Sequence, residues 1–317
     1  MMPSARLALA AALLTATAAA ADPYDFRIWK LRGDPANPVE DPVLQGRFRR
    51  FVRELGAALT SVSLSPPETL GHSAFAVNAE LSVVQLQQSD QDFPTERLVT
   101  TASPTRTGIQ GALLVPSIHV RKGLPWSFEL GTRVAWIEKS RMAAATGELK
   151  WALNEGFLLL PDVAVRGSVT RLLSTTDFGL TAVGADLSVG KQLAVGGMVT
   201  FTPYVGWNLV WVGAGSNTVD FNPGRSYNES VCGPNLGACD PSAQLTREAG
   251  VYDDVPLGGN SHNRFYGGLR FIAGALQLGA EYSVAQLPRI RVTTASGTET
   301  LPMPAVGAFN FTVGLDF

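Results

Sequence analysis

Acidic and basic residues recur at positions that neighbouring strands would bring face to face. Three predicted hairpins show this arrangement and pair Glu129 with Lys150, Arg166 with Asp186, and Arg270 with Glu281. The first two pairs lie directly opposite each other, and the third lies opposite or one diagonal step away. Side chains at such positions are within contact distance of each other. The spacing therefore predicts three cross-strand ion pairs on one face of a sheet.

Catalytic chemistry has little support in the sequence. The chain has 3 histidines, and none of them belongs to a spaced metal or nucleophile motif. His262 follows Asp253 and Asp254, which is a combination that general-base catalysis can use, but acid-rich loops are ordinarily just solvated. We therefore expect no enzymatic activity, no catalytic residue, no metal and no cofactor, with a hydrolase as the weakest alternative.

The 2 cysteines, Cys232 and Cys239, are close together in a long predicted outer loop. A metal site would need further ligands at suitable spacing, and the neighbouring sequence offers none. In an exported protein, two nearby cysteines most simply form a disulfide. The sequence predicts a Cys232–Cys239 disulfide that stiffens this loop.

The elements that position these residues are strands with alternating apolar and polar side chains. Segments of this kind lie near residues 74–86, 111–121, 126–138, 141–153, 162–173, 178–189, 198–212, 264–273, 276–286 and 305–317. In the last of them, Phe309, Phe311 and Phe317 alternate with polar residues. The pattern predicts an all-β fold, a transmembrane antiparallel up-and-down β-barrel of about 10 strands.

Composition agrees with a membrane barrel and disfavours other classes. Apolar residues make up 45% of the 317-residue chain and charged residues only 16%. Beyond residue 22 there is no apolar stretch long enough for a membrane-spanning helix. Because 25 basic residues stand against 27 acidic residues, no nucleic-acid partner is expected. Aromatic residues near strand ends, among them Trp151, Tyr204 and Tyr282, predict a girdle at the membrane interface.

The N-terminal region differs from the barrel. Residues 1–21 have the features of a signal peptide cleaved near Ala21, so the protein is expected to be exported to the bacterial outer membrane. Residues 22–71 form a predicted periplasmic segment, and residues 72–317 form the barrel. Phe48, Phe51 and Leu55 recur at helical spacing, which predicts a short amphipathic helix over 45–59. The favoured position is the periplasmic rim, and the alternatives are the membrane surface and the lumen.

Three segments resemble a family of bacterial outer-membrane β-barrel proteins of largely undefined activity. They are SPPETLGHSAFAVNAELS at 65–82, VRGSVTRLLSTTDFGLTAVGADLSVGK at 165–191 and the terminal FNFTVGLDF. The resemblance covers most of residues 47–317, although Ala74-Phe75-Ala76 departs from the usual Gly-Phe-Asp pattern. It implies fold and location and brings no catalytic residues. The C-terminal Phe317 also resembles the signal that the outer-membrane assembly machinery reads.

The sequence thus predicts a monomeric porin-like or structural barrel in outer-membrane lipid. A charge-lined lumen favours either a narrow path for small solutes or, at this strand number, a lumen closed by its own side chains. The runner-up is a module that binds an extracellular ligand through the loop at 213–263. The loop residues singled out for that role are Asn217, Asp220, Asn222, Arg225, Tyr227 and Tyr252.

Overall fold

The computed structural model describes residues 25–31, 42–86, 112–157, 159–195, 199–220, 249–294 and 297–317. The predicted signal peptide, Cys232 and Cys239 lie outside the described residues. One α-helix, α1, spans Pro42–Leu59, and a single turn of 3-10 helix spans Ile28–Leu31. None of the described helices is long and apolar enough to cross a lipid bilayer.

The strands account for most of the described chain. In chain order they are β1 Phe75–Gln85, β2 Leu113–Leu124, β3 Phe128–Trp136, β4 Ala143–Asn154, β5 Asp162–Leu173, β6 Phe178–Gly190, β7 Leu193–Val195, β8 Val199–Ser216, β9 Val219–Asp220, β10 Ala249–Gly250, β11 Ser261–Ala273, β12 Leu276–Gln286, β13 Ile290–Thr294, β14 Gly297–Leu301 and β15 Val306–Asp316.

Ten of these described strands, β1–β6, β8, β11, β12 and β15, pair antiparallel and close into a barrel. Closure is made by β15 against β1, where Val77 lies opposite Leu315. The predicted fold class is therefore confirmed. Strands β8 and β11 extend further than predicted, to Ser216 and from Ser261. The connection at 287–304, predicted as a loop, contains the hairpin β13–β14.

The outside of the barrel is apolar. Outward-facing residues such as Leu149, Val169 and Phe311 are about half exposed, as expected for side chains that face lipid. This is the architecture of a bacterial outer-membrane β-barrel. The predicted girdle is wrong at Tyr204, which is buried on the inner face of β8 because it shares the alternation of its inward neighbours.

The two ends of the barrel differ. The inner end carries the start of β1 and the end of β15, where Phe75 and Phe317 exchange backbone hydrogen bonds of 2.9 and 2.8 Å. The outer end carries the strand ends that flank the long connections 87–112, 217–260 and 287–305. In outer-membrane barrels the termini and short turns are periplasmic and the long loops are extracellular.

The lumen is apolar in its outer half. Inward-facing side chains there belong to one buried cluster, which includes Val84, Leu113, Val115, Ala135, Leu172, Phe178, Leu180, Ala182, Val210 and Val212. Helix α1 packs against this wall with Leu44, Phe48, Phe51 and Leu55, all fully buried. The helix exists as predicted, but its favoured position at the periplasmic rim is wrong. It lies inside the outer end of the barrel because only there does an apolar wall cover its apolar side.

Prolines flank the helix, and a glycine allows its close packing on the wall. Pro42 is the first helical residue, where its missing N–H is harmless, and the Pro66–Pro67 pair disfavours helix within the segment that follows Leu59. Gly56 lets the helix approach the wall, since a Cβ on Gly56 would lie 2.5 Å from a methyl carbon of Val212. Residues 42–71, consisting of α1 and the non-helical lumen segment 60–71, are called the plug below.

Candidate functional site

The inner half of the lumen is densely charged. Alternation along each strand turns these side chains inward, and each is at most 6% exposed. The charged lumen residues are Glu80, His119, Arg121, Glu129, Arg133, Glu148, Lys150, Arg166, Asp186, Arg264, Arg270 and Glu281. Buried charges are stable only when they are paired and hydrogen-bonded, so their partners determine what the site can do.

Arg166 and Asp186 lie opposite each other on β5 and β6. Arg166 Nη2 is 2.6 Å from Asp186 Oδ2, and Arg166 Nη1 is 2.7 Å from Glu148 Oε2. The guanidinium thus joins carboxylates from both neighbouring strands. The sequence predicted the pair of Arg166 with Asp186, but it did not predict the contact between Arg166 and Glu148.

Glu129 and Lys150 lie opposite each other on β3 and β4, with their charged atoms 3.0 Å apart. Arg121 Nη1 is 3.4 Å from the same carboxylate oxygen of Glu129. Lys150 and Arg121 therefore share the carboxylate of Glu129. The hairpin turn that fixes this register was readable from the sequence.

Glu281 lies one diagonal step from Arg270, as predicted, but the predicted ion pair between them does not form. Arg270 lies opposite Gly279 and forms its ion pair with Glu68 of the plug. Glu281 accepts hydrogen bonds from the backbone N–H of Leu64 at 3.0 Å and from the Tyr204 hydroxyl at 3.1 Å. The plug supplies Arg270 and Glu281 each with a partner that is closer than the other residue of the predicted pair. Strand register could not predict these contacts, because the plug is not part of the sheet.

A histidine links the acids of the lumen into one network. His119 Nδ1 is 2.9 Å from Glu80, and His119 Nε2 is 2.9 Å from Glu148. Glu80 is also 2.8 Å from Arg133. The chain of contacts runs from Arg133 through Glu80, His119 and Glu148 to Arg166. The contacts of His119 were not predicted, although the alternation of β2 that turns His119 inward was a signal available in the sequence.

The lumen segment runs through this network and contacts it along its length. Arg264 donates to the backbone carbonyls of Thr60 and Ser61 at 3.0 and 2.6 Å. Lys150 donates to the carbonyl of Glu68 at 3.0 Å, and the N–H of Leu70 donates to Glu129 at 3.0 Å. Hydrogen bonds therefore join the charged wall to the plug, and the inner half of the lumen is occupied.

The outer mouth is closed by aromatic packing. Tyr252 stacks on Phe48 with ring centroids 4.6 Å apart, and its hydroxyl donates to the carbonyl of Ile28 at 3.0 Å. Burial raises the pKa of Tyr252 above its ordinary value of 10.0. Tyr252 was predicted to present a binding surface in the loop, but it is 2% exposed and holds the plug. Sequence alternation gave no signal for this role.

The remaining predicted loop residues are distributed differently. Asn217 donates from its side chain to the carbonyl of Thr176 at 2.6 Å, and Asp220 lies on β9. Asn222, Arg225, Tyr227 and the cysteines lie outside the described residues. A loop site built from all of them therefore stays a prediction.

The constellation suggested for general-base chemistry does not come together as predicted. His262 is buried on the inner face of β11, opposite Val210, rather than in a loop. Asp253 pairs with Arg49 of the plug at 3.5 Å. Within the described ranges, no three metal-ligating side chains form a group that could hold a metal ion.

Comparisons with known proteins find similarities among solved structures. No family model and no curated protein matches the chain. Among solved structures, the chain is similar to the attachment invasion locus protein Ail of Yersinia pestis at 8% identity and a TM-score of 0.28, over 78% of this chain and 99% of that one. It is also similar to Neisserial surface protein A at 10% identity, over 78% and 100% of the two chains with a TM-score of 0.28. The chain is also similar to the translocator domain of the autotransporter NalP from Neisseria meningitidis. This similarity has 9% identity and a TM-score of 0.32, and it covers 87% of this chain and 96% of that one.

Proposed function

We propose that this protein is a porin-like, non-enzymatic outer-membrane barrel that is closed at rest by its own plug. Small solutes pass only when the plug moves. The observation that carries the proposal is that residues 42–71 occupy both halves of the lumen, with α1 in the apolar outer half and residues 60–71 in the charged inner half.

The closed state is supported by the chemistry of the outer wall. An apolar wall facing water is unfavourable, and burying each large side chain of α1 contributes about 1.5–3 kcal/mol relative to exposure. Leu44, Phe48, Phe51 and Leu55 are all buried against this wall. Displacing the helix would expose both surfaces, so the open state is the minor state.

Single-channel recording in planar bilayers tests the proposal. The unmodified chain is expected to show no steady conductance. Gly56→Leu places a large side chain where even a Cβ would lie 2.5 Å from Val212, so it should push α1 from the wall and produce opening events. Gly147→Leu is the matched control, because a side chain there meets nothing within 4 Å.

Both variants should first be shown to fold, by a change in gel migration upon boiling, because closed barrels resist cold detergent. Steady high conductance of the unmodified chain would contradict closure. A folded Gly56→Leu variant that stays as silent as Gly147→Leu would contradict the gating role of the plug.

A second candidate function is binding of an extracellular ligand at the outer rim. A cleft of about 950 Å³ lies there, lined among others by Arg171, Asn217, Asp254 and Leu257. Its mixture of charged, amide and apolar groups supports a polar ligand. A thermal-shift screen of sugars and small peptides, repeated with Asp254→Ala, tests this role. A ligand whose stabilisation is unchanged in the variant would contradict it.

A further inference from the structure

We infer that the inner half of the lumen is a binding site for the main chain of an extended polypeptide, which residues 60–71 of this chain occupy at rest. The inference rests on the proposed plugged state and assigns a ligand class to the same lumen. Another extended chain can then take the place of the lumen segment.

The wall donates hydrogen bonds to successive backbone carbonyls. Arg264 reaches the carbonyls of Thr60 and Ser61 at 3.0 and 2.6 Å. Arg133 and Arg166 both reach the carbonyl of Val62, at 3.0 and 3.1 Å. These three arginines come from three different strands, so the carbonyls are held from several sides.

The wall also accepts hydrogen bonds from backbone N–H groups. Glu281 accepts from Leu64 at 3.0 Å, and Glu155, just past the inner end of β4, accepts from Thr69 at 2.7 Å. Glu129 accepts from Leu70 at 3.0 Å. Carboxylates and guanidinium groups together therefore recognise both kinds of backbone group.

Backbone groups are the same in every chain, so a wall that reads them is tolerant of sequence. Peptide recognition through the main chain is an established binding mode, usually made by a sheet edge. Here charged side chains of a closed barrel make it instead. Side-chain contacts are added by a smaller set of residues: Ser61, Ser65, Glu68 and Thr69.

The wall retains further hydrogen-bonding capacity. Glu281 Oε1, Arg264 Nε and both amide atoms of Asn208 make no hydrogen bond within the described residues, although each residue is at most 4% exposed. Buried polar atoms of this kind are costly unless a partner satisfies them. They can bind the backbone of a chain that lies in another register or carries other side chains.

The path of the plug shows that the lumen admits a chain from end to end. The segment enters at the inner end, where Gly71 lies against Gly123. Residues further towards the N-terminus lie at the outer end, where Asp25 accepts hydrogen bonds from Ser140 and from the N–H of Arg141. The wall thus holds a chain that crosses the whole barrel.

The test uses the folded full chain with a protease site inserted after His72, in an exposed turn. Cutting converts the plug into a non-covalent ligand. Three fluorescent peptides of residues 42–71 are then offered for exchange and followed by anisotropy: the native sequence, a version with 60–71 scrambled around fixed prolines and a fixed Glu68, which keeps the ion pair with Arg270, and a version N-methylated at Leu64 and Leu70. The uncut chain should bind none of them.

The native and scrambled peptides are expected to bind within about threefold of each other, and the N-methylated peptide at least about tenfold more weakly, because two buried carboxylates, Glu281 and Glu129, each lose one donor. A scrambled peptide as weak as the N-methylated one would overturn the inference. The inference would also be overturned if no peptide bound to the cut chain and none bound to an uncut Gly56→Leu chain. Conductance of the unmodified chain tests the plugged state separately, so the two failures are distinguishable.

Discussion

Arg166 Nη2 lies 2.6 Å from Asp186 Oδ2 across the β5–β6 hairpin, and both side chains are about 95% buried. Arg166 also contacts Glu148 at 2.7 Å and the carbonyl of Val62 at 3.1 Å. The barrel wall and the plug therefore share one guanidinium group, and changes at Arg166 should affect both stability and closure.

Arg166→Ala should lower the free energy of barrel unfolding by about 3–5 kcal/mol, because it leaves Asp186 and Glu148 as buried, underpaired charges. Arg171→Ala is the control on the same strand. Arg171 is exposed and should cost at most about 1 kcal/mol. Urea unfolding in detergent micelles measures both values, and equal losses would contradict the buried network.

Adding Asp186→Ala to Arg166→Ala should restore part of the lost stability, since the second change removes one stranded charge. The coupling free energy from this double-mutant cycle should exceed about 1 kcal/mol for residues in direct contact. Additive effects would show that the two side chains do not interact in the folded barrel.

Tyr252 predicts an alkaline sensitivity of the plug. Because burial raises its pKa above 10.0, its contribution to stability is complete below pH about 10 and is lost as pH rises through the raised pKa. Tyr252→Phe keeps the ring stacked on Phe48 and removes the titrating hydroxyl. As pH rises from 9 to 11.5, the denaturant concentration at the midpoint of unfolding should fall more steeply in the unmodified chain than in this variant. Parallel curves would contradict the role of the hydroxyl.

Cys232 and Cys239 are predicted to form a disulfide in the outer loop. Thiol labelling of the exported protein should find no free thiol before reduction. Replacing both residues with Ser should leave barrel unfolding nearly unchanged, because the sequence predicts that both lie in a loop and not in a strand of the barrel. Free thiols in the unreduced protein would refute the disulfide.

Phe317 is predicted to be the residue that the assembly machinery reads. It directly follows Asp316, the last residue of β15, is 69% exposed, and exchanges backbone hydrogen bonds with Phe75. Phe317→Glu should reduce the amount of folded barrel in the outer membrane while leaving refolding of purified protein in detergent unaffected. Equal assembly of both proteins in cells would remove the proposed signal.

The strands of the barrel could be predicted because their side chains alternate cleanly. Strand β5 has the predicted bounds Asp162–Leu173, and the turn near 139–140 was enough to place Glu129 opposite Lys150. Where both partners lie on neighbouring strands, local spacing specifies the contact.

The plug could not be placed by such spacing, because its partners are distant in sequence. One signal was nevertheless present. Phe178, Leu180 and Val212 face inward yet are apolar, which a water-filled lumen would disfavour. An apolar inner wall is stable only when apolar side chains cover it, and the helix that contains Phe48 and Phe51 provides such side chains. The partner of Arg270 was not predicted for the same reason: Glu68 belongs to the plug, and the plug had not been placed in the lumen.

The most direct test of the plug is a cross-link between α1 and the inner wall. A Cβ on Gly56 lies 3.2 Å from the Cβ of Val212, and disulfides form when Cβ atoms are about 3.5–4.5 Å apart, so a small shift suffices. With Cys232 and Cys239 replaced by Ser, Gly56→Cys together with Val212→Cys should form a disulfide in the exported protein. Gly56→Cys with Trp211→Cys, on the outward face of the same strand, should not. A helix outside the barrel would instead give no cross-link to residue 212, and that result would contradict the plugged lumen.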